Sequence, residues 1–207
     1  IHNNIMKKYI LTEKRKKRIE FREIIKNAIG NATSIIDVSC GDDKFIFDLS
    51  RDLEMNLVVG NDISWSQIES LNNKYQEVIF TNHNAVSLPF IDKAFDVAYC
   101  SNTLHHMPNK KTLINLLKSM EKVAKKLIIV EIENPVIIGG FAQKLNKYWY
   151  MKYLKDVGGA YLSNQQFRLI INDTLSKECD IKFQIFENIM GRYMIAIIEK
   201  KEENNCE

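Results

Sequence analysis

The chain has 207 residues, of which 45% are hydrophobic and 27% charged, and its formal net charge is +3. That is ordinary for a soluble globular domain and leaves little room for a second large one. No apolar run reaches the ~18 residues of a membrane span, and the opening "IHNNIMKKYI" lacks the apolar core of a secretory signal.

Residues 1–30 carry nine Lys/Arg against three Glu, a net +6 that leaves −3 for the rest. Such a segment can touch nucleic acid or an anionic membrane. It can equally be the solvated side of a packed helix. Phe21, Ile24, Ile25, Ala28 and Ile29 recur at helical spacing, which favours the packed helix. Gly30 is placed to end it. "SIIDV" (34–38) then reads as a buried strand and "KFIFDLSR" (44–51) as the start of a helix. "NLVVG" (56–60) is a second strand that ends at Asn61-Asp62. Ser64 and Gln67 have capping-box spacing and open a helix with Ile68, Leu71 and Tyr75 on one side. "EVIF" (77–80) is a third strand and "FDVAYC" (95–100) a fourth. Leu113, Leu116, Leu117, Met120 and Ala124 mark an amphipathic helix, and "KLIIVEI" (126–132) is a fifth strand. An irregular helical insert follows, from Pro135 to Lys177. "DIKFQIFENI" (180–189) and "RYMIAIIEK" (192–200) are joined too closely for a helical crossover, so they form an antiparallel pair at one edge.

Strand–helix alternation over residues 21–133 predicts an α/β domain spanning 1–207. Its sheet is Rossmann-like, mostly parallel and seven-stranded, with helices on both faces and an antiparallel C-terminal edge hairpin. Cys40, Cys100, Cys179 and Cys206 show no C-x-x-C and no metal-like Cys/His spacing, which points to reduced thiols and a cytoplasmic setting. His105 and His106 are adjacent, a poor arrangement for sharing a metal on a regular element, so no metal site is expected.

In an open α/β sheet, ligands bind beyond the carboxyl ends of the strands. Asp37, Asp62, Asn84 and Cys100-Ser101 all fall there. The loop "IIDVSCGDDKF" (35–45) offers Gly41 alone and three carboxylates, Asp37, Asp42 and Asp43. It lacks the glycines of a dinucleotide fingerprint. A carboxylate about 4 Å from a phosphate charge would also cost on the order of 4 kcal/mol at an effective dielectric near 20. A cationic ligand reverses the sign. S-adenosylmethionine carries a sulfonium, an ammonium and a carboxylate. Asp37 can face its ammonium, Asp62 can accept its ribose hydroxyls, Asn84 can pair with the adenine edge and Ile63 can cover one adenine face.

With these residues in view, the stretch from Ser34 to Glu133 resembles the class I SAM-dependent methyltransferases. "IIDVSCGDDKF" is similar to the family's D-x-G-x-G-x-G loop, and "VVGNDIS" to its second-strand acid. "NHNAVSLPFIDKAFDVAYCSNTLHHMPN" (82–109) resembles the corresponding segment of small-molecule methyltransferases related to quinone-biosynthesis enzymes. Two family glycines are replaced, by Ser39 and Asp43, and the family's acid at position 84 is Asn84. The resemblance implies cofactor contacts from Asp37, Ser39, Cys40, Gly41, Asp62, Ile63, Asn84, Ala85, Cys100 and Ser101. It implies S-adenosylmethionine as cofactor, S-adenosylhomocysteine as product and a small-molecule methyl acceptor. A non-catalytic cofactor-binding scaffold and an RNA methyltransferase using the basic first helix are the alternatives.

His105 and His106 follow the fourth strand, where either can serve as general base if the acceptor must lose a proton. Otherwise one packs and the other caps the loop before Pro108. Glu131 and Glu133 share a side of the fifth strand and either face the acceptor or are exposed loop carboxylates. Cys40 and Cys100 read as small packing residues, Asp92 as a turn residue and Asp96 as structural. In the insert, "KLNKYWYMKYLK" (144–155) interleaves aromatic and basic residues. That pattern suits a lid over an apolar or aromatic acceptor, or contact with a membrane surface.

Overall fold

The structure, a computed structural model, describes residues 2–134, 161–175, 178–188 and 191–200, with side chains from residue 11 onward. The described elements are α1 (His2–Ile29), β1 (Ser34–Asp37), α2 (Phe45–Asp52), β2 (Leu57–Asn61) and α3 (Trp65–Lys74). They continue with β3 (Ile79–Thr81), β4 (Phe95–Ser101), α4 (Lys110–Val123), β5 (Ala124–Ile132), α5 (Asn164–Thr174), β6 (Cys179–Asn188) and β7 (Gly191–Lys200). Short 3-10 turns at Ala85–Ser87 and Leu104–His106 follow β3 and β4.

The seven strands form one sheet in the order β3-β2-β1-β4-β5-β7-β6. β1 pairs in parallel with β2 and β4, and β5 pairs in parallel with β4. β7 runs antiparallel to both β5 and β6, so the hairpin enters with β7 inside and β6 at the edge. The chain order reverses at β1 and β4, which opens a crevice beyond their carboxyl ends.

The central strands are apolar on both sides because both sides are covered. Ile35, Val97, Ile128 and Val130 pack with Ile25 and Ile29 of α1, Phe47 of α2 and Leu71 of α3. Ile36, Ala98, Leu127 and Ile129 pack with Leu116, Leu117 and Met120 of α4 and Phe167 of α5. Each fully buried side chain of this size contributes about 1.5–3 kcal/mol. α1 ends at Gly30, whose φ of +64° is the left-handed value that glycine adopts without steric cost.

Asp96 staples the amino ends of the two central strands. Its Oδ2 accepts the amides and hydroxyls of Thr33 and Ser34 at 3.0–3.2 Å, and its Oδ1 accepts from Lys125 at 2.8 Å. The Lys125 hydrogen bond and the Thr33 amide hold its carboxyl well below the usual range.

Two local expectations are corrected. Ser64 caps α3 without a side-chain bond: its hydroxyl pairs with Ser66 Oγ at 3.1 Å, and Asp62 Oδ1 accepts at 2.9 Å the Ser64 amide that a capping box would give to Gln67. A capping box forms instead at α5, between Ser163 and Gln166. Ala124 begins β5 and is not part of α4. Of the insert expected over 135–177, residues 135–160, with the aromatic and basic lid segment, lie outside the described residues, and 164–174 form α5.

Candidate active site

The loop after β1 spends most of its backbone donors within the protein. Val38 N donates to Tyr99 O, Cys40 N to Asn61 O and Asp43 N to Cys40 O, at 2.9–3.0 Å. Ser39 N donates to Asp37 Oδ1 at 3.3 Å and Gly41 N to Asp62 Oδ2 at 2.9 Å. A phosphate cradle needs several such amides aimed outward. This loop therefore does not present one. Only Gly41, with φ +52°, takes a left-handed conformation here, and neither Ser39 nor Asp43 does. The two positions that lack a family glycine place no demand on the backbone that their side chains cannot meet. Asp43 Oδ1 accepts the Phe45 amide at 2.9 Å and so serves the start of α2.

Asp37 ends β1 level with Gly60 of β2 and Tyr99 of β4. It is buried, with 4% of its surface exposed, and it has no cationic partner among the described residues. Burial pushes its carboxyl well above the usual range, and the nearby Asp43 and Asp62 push it further, against the Ser39 hydrogen bond. A buried carboxylate with one long hydrogen bond is costly unless a cation meets it. That is the main reason the residues present fit a ligand with an ammonium or sulfonium.

Asp62 is buried beyond the end of β2, with one oxygen on the Gly41 amide and the other on the Ser64 amide. Each carboxylate oxygen keeps a second lone pair for a ligand hydroxyl. Next to it, Ile63 is 70% exposed, an open apolar surface of the kind an adenine ring can cover. Asn84 caps the turn after β3, its Oδ1 accepting the Val86 amide at 3.2 Å, and Ala85 follows it. Sequence reasoning missed Asn61. It is fully buried and donates to Val38 O and His83 O while accepting from Thr81 Oγ1 and the His83 amide, at 2.9–3.1 Å. It ties the ends of β1, β2 and β3 together. A lone amide ending an apolar strand was the available signal.

Cys40 and Cys100 are buried, and desolvation pushes both thiols far above the usual range. They are packing groups with no thiolate character. Ser101 stands on the opposite face of β4 from Cys100 and lines a cavity of about 360 Å³. Asp43, the rings of Phe21, Phe45, Tyr99, Phe186 and Tyr193, and Lys14, Lys17 and Arg18 of α1 also line it. Next to Ser101, Asn102 turns the chain at φ +50°, a value Asn tolerates better than most residues.

The two histidines separate. His105 is buried, with Nδ1 2.6 Å from Glu131 Oε1, and its ring stacks on Tyr161 at 4.7 Å between centroids. Glu131 also accepts the amides of Leu104 and Ile132 at 2.7 and 2.9 Å, so it is the acceptor and Nδ1 the donor. His106 is exposed. Among the described residues neither histidine lines the 360 Å³ cavity. Glu131 and Glu133 are not exposed loop carboxylates, at 0% and 4% exposure. Glu133 Oε1 accepts the Asn164 amide at 2.9 Å, at the start of α5, and its Oε2 lies 3.4 Å from Arg192. Among the described residues no cluster of three or more His, Cys, Asp or Glu is arranged to hold a metal ion, and no helix is long and apolar enough to cross a membrane.

Residues 36–128 match a family model described as a methyltransferase domain. An O-methyltransferase, rstn1, of Aspergillus nomiae is 28% identical over 119 residues, covering 52% of each chain. A demethylmenaquinone methyltransferase of Lactococcus lactis is 26% identical over 160 residues, 65% of this chain and 64% of the relative. The chain thus spans between half and two thirds of the length of these curated relatives. Among solved structures, a SAM-dependent methyltransferase from Methanosarcina mazei superposes with a TM-score of 0.65 at 19% identity, covering 86% of this chain and 98% of the other. The plantazolicin methyltransferase BpumL, in complex with SAH, gives 0.70 at 15% identity, covering 96% and 90%. At these identities the superpositions speak for the fold.

Proposed function

We propose that this chain is a class I SAM-dependent methyltransferase, a reading supported by the methyltransferase-domain match over residues 36–128 and by the methyltransferase relatives, and that it transfers the methyl group of S-adenosylmethionine to a small-molecule acceptor. The observation that carries this reading is Asp37, a buried carboxylate without a cationic partner at the carboxyl end of β1. The curated relatives named as an O-methyltransferase and a demethylmenaquinone methyltransferase support a small acceptor.

The cofactor supplies a methyl group already activated on a sulfonium. The chain's own residues bind and align it. Asp37 would meet the ammonium, and Asp62 the ribose hydroxyls. Ile63 would cover adenine, with Asn84 and Ala85 at its edge. Ser39, Cys40 and Gly41 would pass beneath, while Cys100 and Ser101 bound the methionine end. Alignment and water exclusion of this kind can lower a barrier by roughly 7–11 kcal/mol. His105 and His106 are needed as bases only for an acceptor that must lose a proton. The structure gives His105 a firm partner in Glu131.

The test is calorimetric titration with S-adenosylhomocysteine, followed by transfer of labelled methyl from S-adenosylmethionine into pooled small-molecule fractions. Binding in the micromolar range with label incorporation is expected. Binding without incorporation into any fraction would favour a non-catalytic scaffold, and no binding at millimolar concentration would overturn the reading.

A further inference from the structure

The cavity beside Ser101 carries more information than an apolar pocket would. Its walls come from five separated parts of the chain: α1, the start of α2, the end of β4, β5, and the β6–β7 hairpin. Five of the lining residues are aromatic. Phe21 lies 5.1 Å from Phe45 and 5.2 Å from Phe186, Phe45 lies 6.4 Å from Tyr99, and Phe186 lies 6.4 Å from Tyr193, between ring centroids. Such rings suit a flat apolar body.

The charges lining it are unequal. Lys14, Lys17 and Arg18 oppose Asp43 alone. Positions 14, 17, 18 and 21 share one face of α1, so the cations continue the line that begins with the Phe21 ring. At 1.5 Å per residue, Lys14 stands about 10 Å along the helix from Phe21. Lys17 is held by Glu20 at 2.8 Å and sits 5.5 Å over the Phe186 ring. Lys14 and Arg18 are exposed and have no ion-pair partner among the described residues. Ser101 and Asp43, at the ends of β4 and of the loop after β1, lie where the cofactor's methionine end would sit.

We infer that this cavity is the acceptor pocket and that its acceptor is an aromatic or similarly flat apolar molecule bearing an acidic group, a carboxylate, sulfonate or phosphate, remote from the methylated atom. The inference rests on the methyltransferase reading for the word acceptor; the preference for an apolar anion rests on the cavity itself. The two unpartnered cations bind the acidic group, and the rings hold the body with its other end toward Ser101. The cofactor's own carboxylate is a second source of negative charge, so the test must separate the two.

Two fluorescent probes share one aromatic body: anilinonaphthalene sulfonate and its neutral counterpart, phenylnaphthylamine. Both are titrated into the full chain, with S-adenosylhomocysteine affinity measured in parallel by calorimetry. The sulfonate is expected to bind one site at least tenfold more tightly than the neutral probe. Lys14→Glu with Arg18→Glu is expected to remove that preference while the neutral probe and S-adenosylhomocysteine bind as before. Arg15→Glu with Lys16→Glu, the same charge change away from the cavity, is expected to retain it. Equal binding of the two probes by the wild type overturns the inference. So does a preference that survives the first pair of reversals, or one that the second pair removes equally. A parallel fall in S-adenosylhomocysteine affinity assigns the cations to the cofactor and also overturns it. If the wild type binds no S-adenosylhomocysteine but keeps the preference, the methyltransferase reading falls while the anion site stands.

Discussion

Asp62 Oδ2 accepts the amide of Gly41 at 2.9 Å, so the acid beyond β2 also holds the loop beyond β1. Its other oxygen fixes the Ser64 amide at the start of α3. One side chain thus positions both walls of the crevice. Asp62→Ala is expected to weaken S-adenosylhomocysteine binding at least tenfold, about 1.4 kcal/mol, and Asp62→Asn to fall between. Calorimetry checks this, and an unchanged affinity would contradict the ribose assignment.

Asp37 has the opposite character to an ordinary surface aspartate. Its folded-state carboxyl titrates above its unfolded value, chiefly through burial. The stabilisation tied to the protonated form is complete below the unfolded pKa and is lost as pH rises through the folded one. Asp37→Asn is therefore expected to raise the Tm of the ligand-free protein at pH 7 by at least ~2 °C, the effect of somewhat under 1 kcal/mol in a chain of this size. The gap should close toward pH 4. The same variant should bind cofactor more weakly. Wild-type binding should release a proton at a pH below the raised value, as seen by calorimetry in buffers of different ionisation enthalpy, and the variant should release none.

Asp96 reverses the sign. Lys125 and the Thr33 amide hold its carboxyl below the usual range. Its stabilisation is present above the unfolded pKa and is lost as pH falls through the folded one. Asp96→Asn is expected to lower Tm by a few degrees at pH 7, with the difference shrinking below pH 4. Thermal melts of the two variants across the same pH series should therefore diverge in opposite directions.

Glu131 accepts from His105, Leu104 and Ile132 in a fully buried position. Removing it strands buried donors, so Glu131→Ala is expected to cost about 3–5 kcal/mol and to lower Tm by roughly 10 °C. Glu131→Gln keeps one acceptor oxygen and should cost less. Denaturant unfolding measures both, and a cost under about 1 kcal/mol for the alanine variant would deny the cluster its structural weight.

What the sequence made legible was whatever depends on short range. The alternation of strands and helices, the buried face of α1 from Phe21 to Ile29, and the Leu113–Met120 stripe all follow from local periodicity. The placement of Asp37, Asp62, Asn84 and Ser101 at or beyond the carboxyl ends of strands was legible because strand ends are marked by where an apolar run stops. Competition between neighbours was not. Ser64 and Gln67 have the spacing of a capping box, but Asp62 reaches the Ser64 amide first. Glu131 and Glu133 look like solvent residues until α5 and the turn at Leu104–His105 bring backbone amides onto them. The basic run on α1 read as a solvated face. Its edge at Lys14, Lys17 and Arg18 overlooks a cavity whose far wall, Phe186 and Tyr193, is supplied by a hairpin more than 160 positions later in the chain. No local pattern encodes that meeting.

The central claim is that the crevice beyond β1 is built for a cation, with its amides turned inward and a buried carboxylate at its base. It is tested most directly by titrating the wild-type protein, side by side, with S-adenosylmethionine, S-adenosylhomocysteine and NAD in one calorimetric series. The account predicts one-to-one binding of both sulfur nucleosides and no heat from NAD at millimolar concentration. Binding of NAD with no response to either sulfur nucleoside would contradict it.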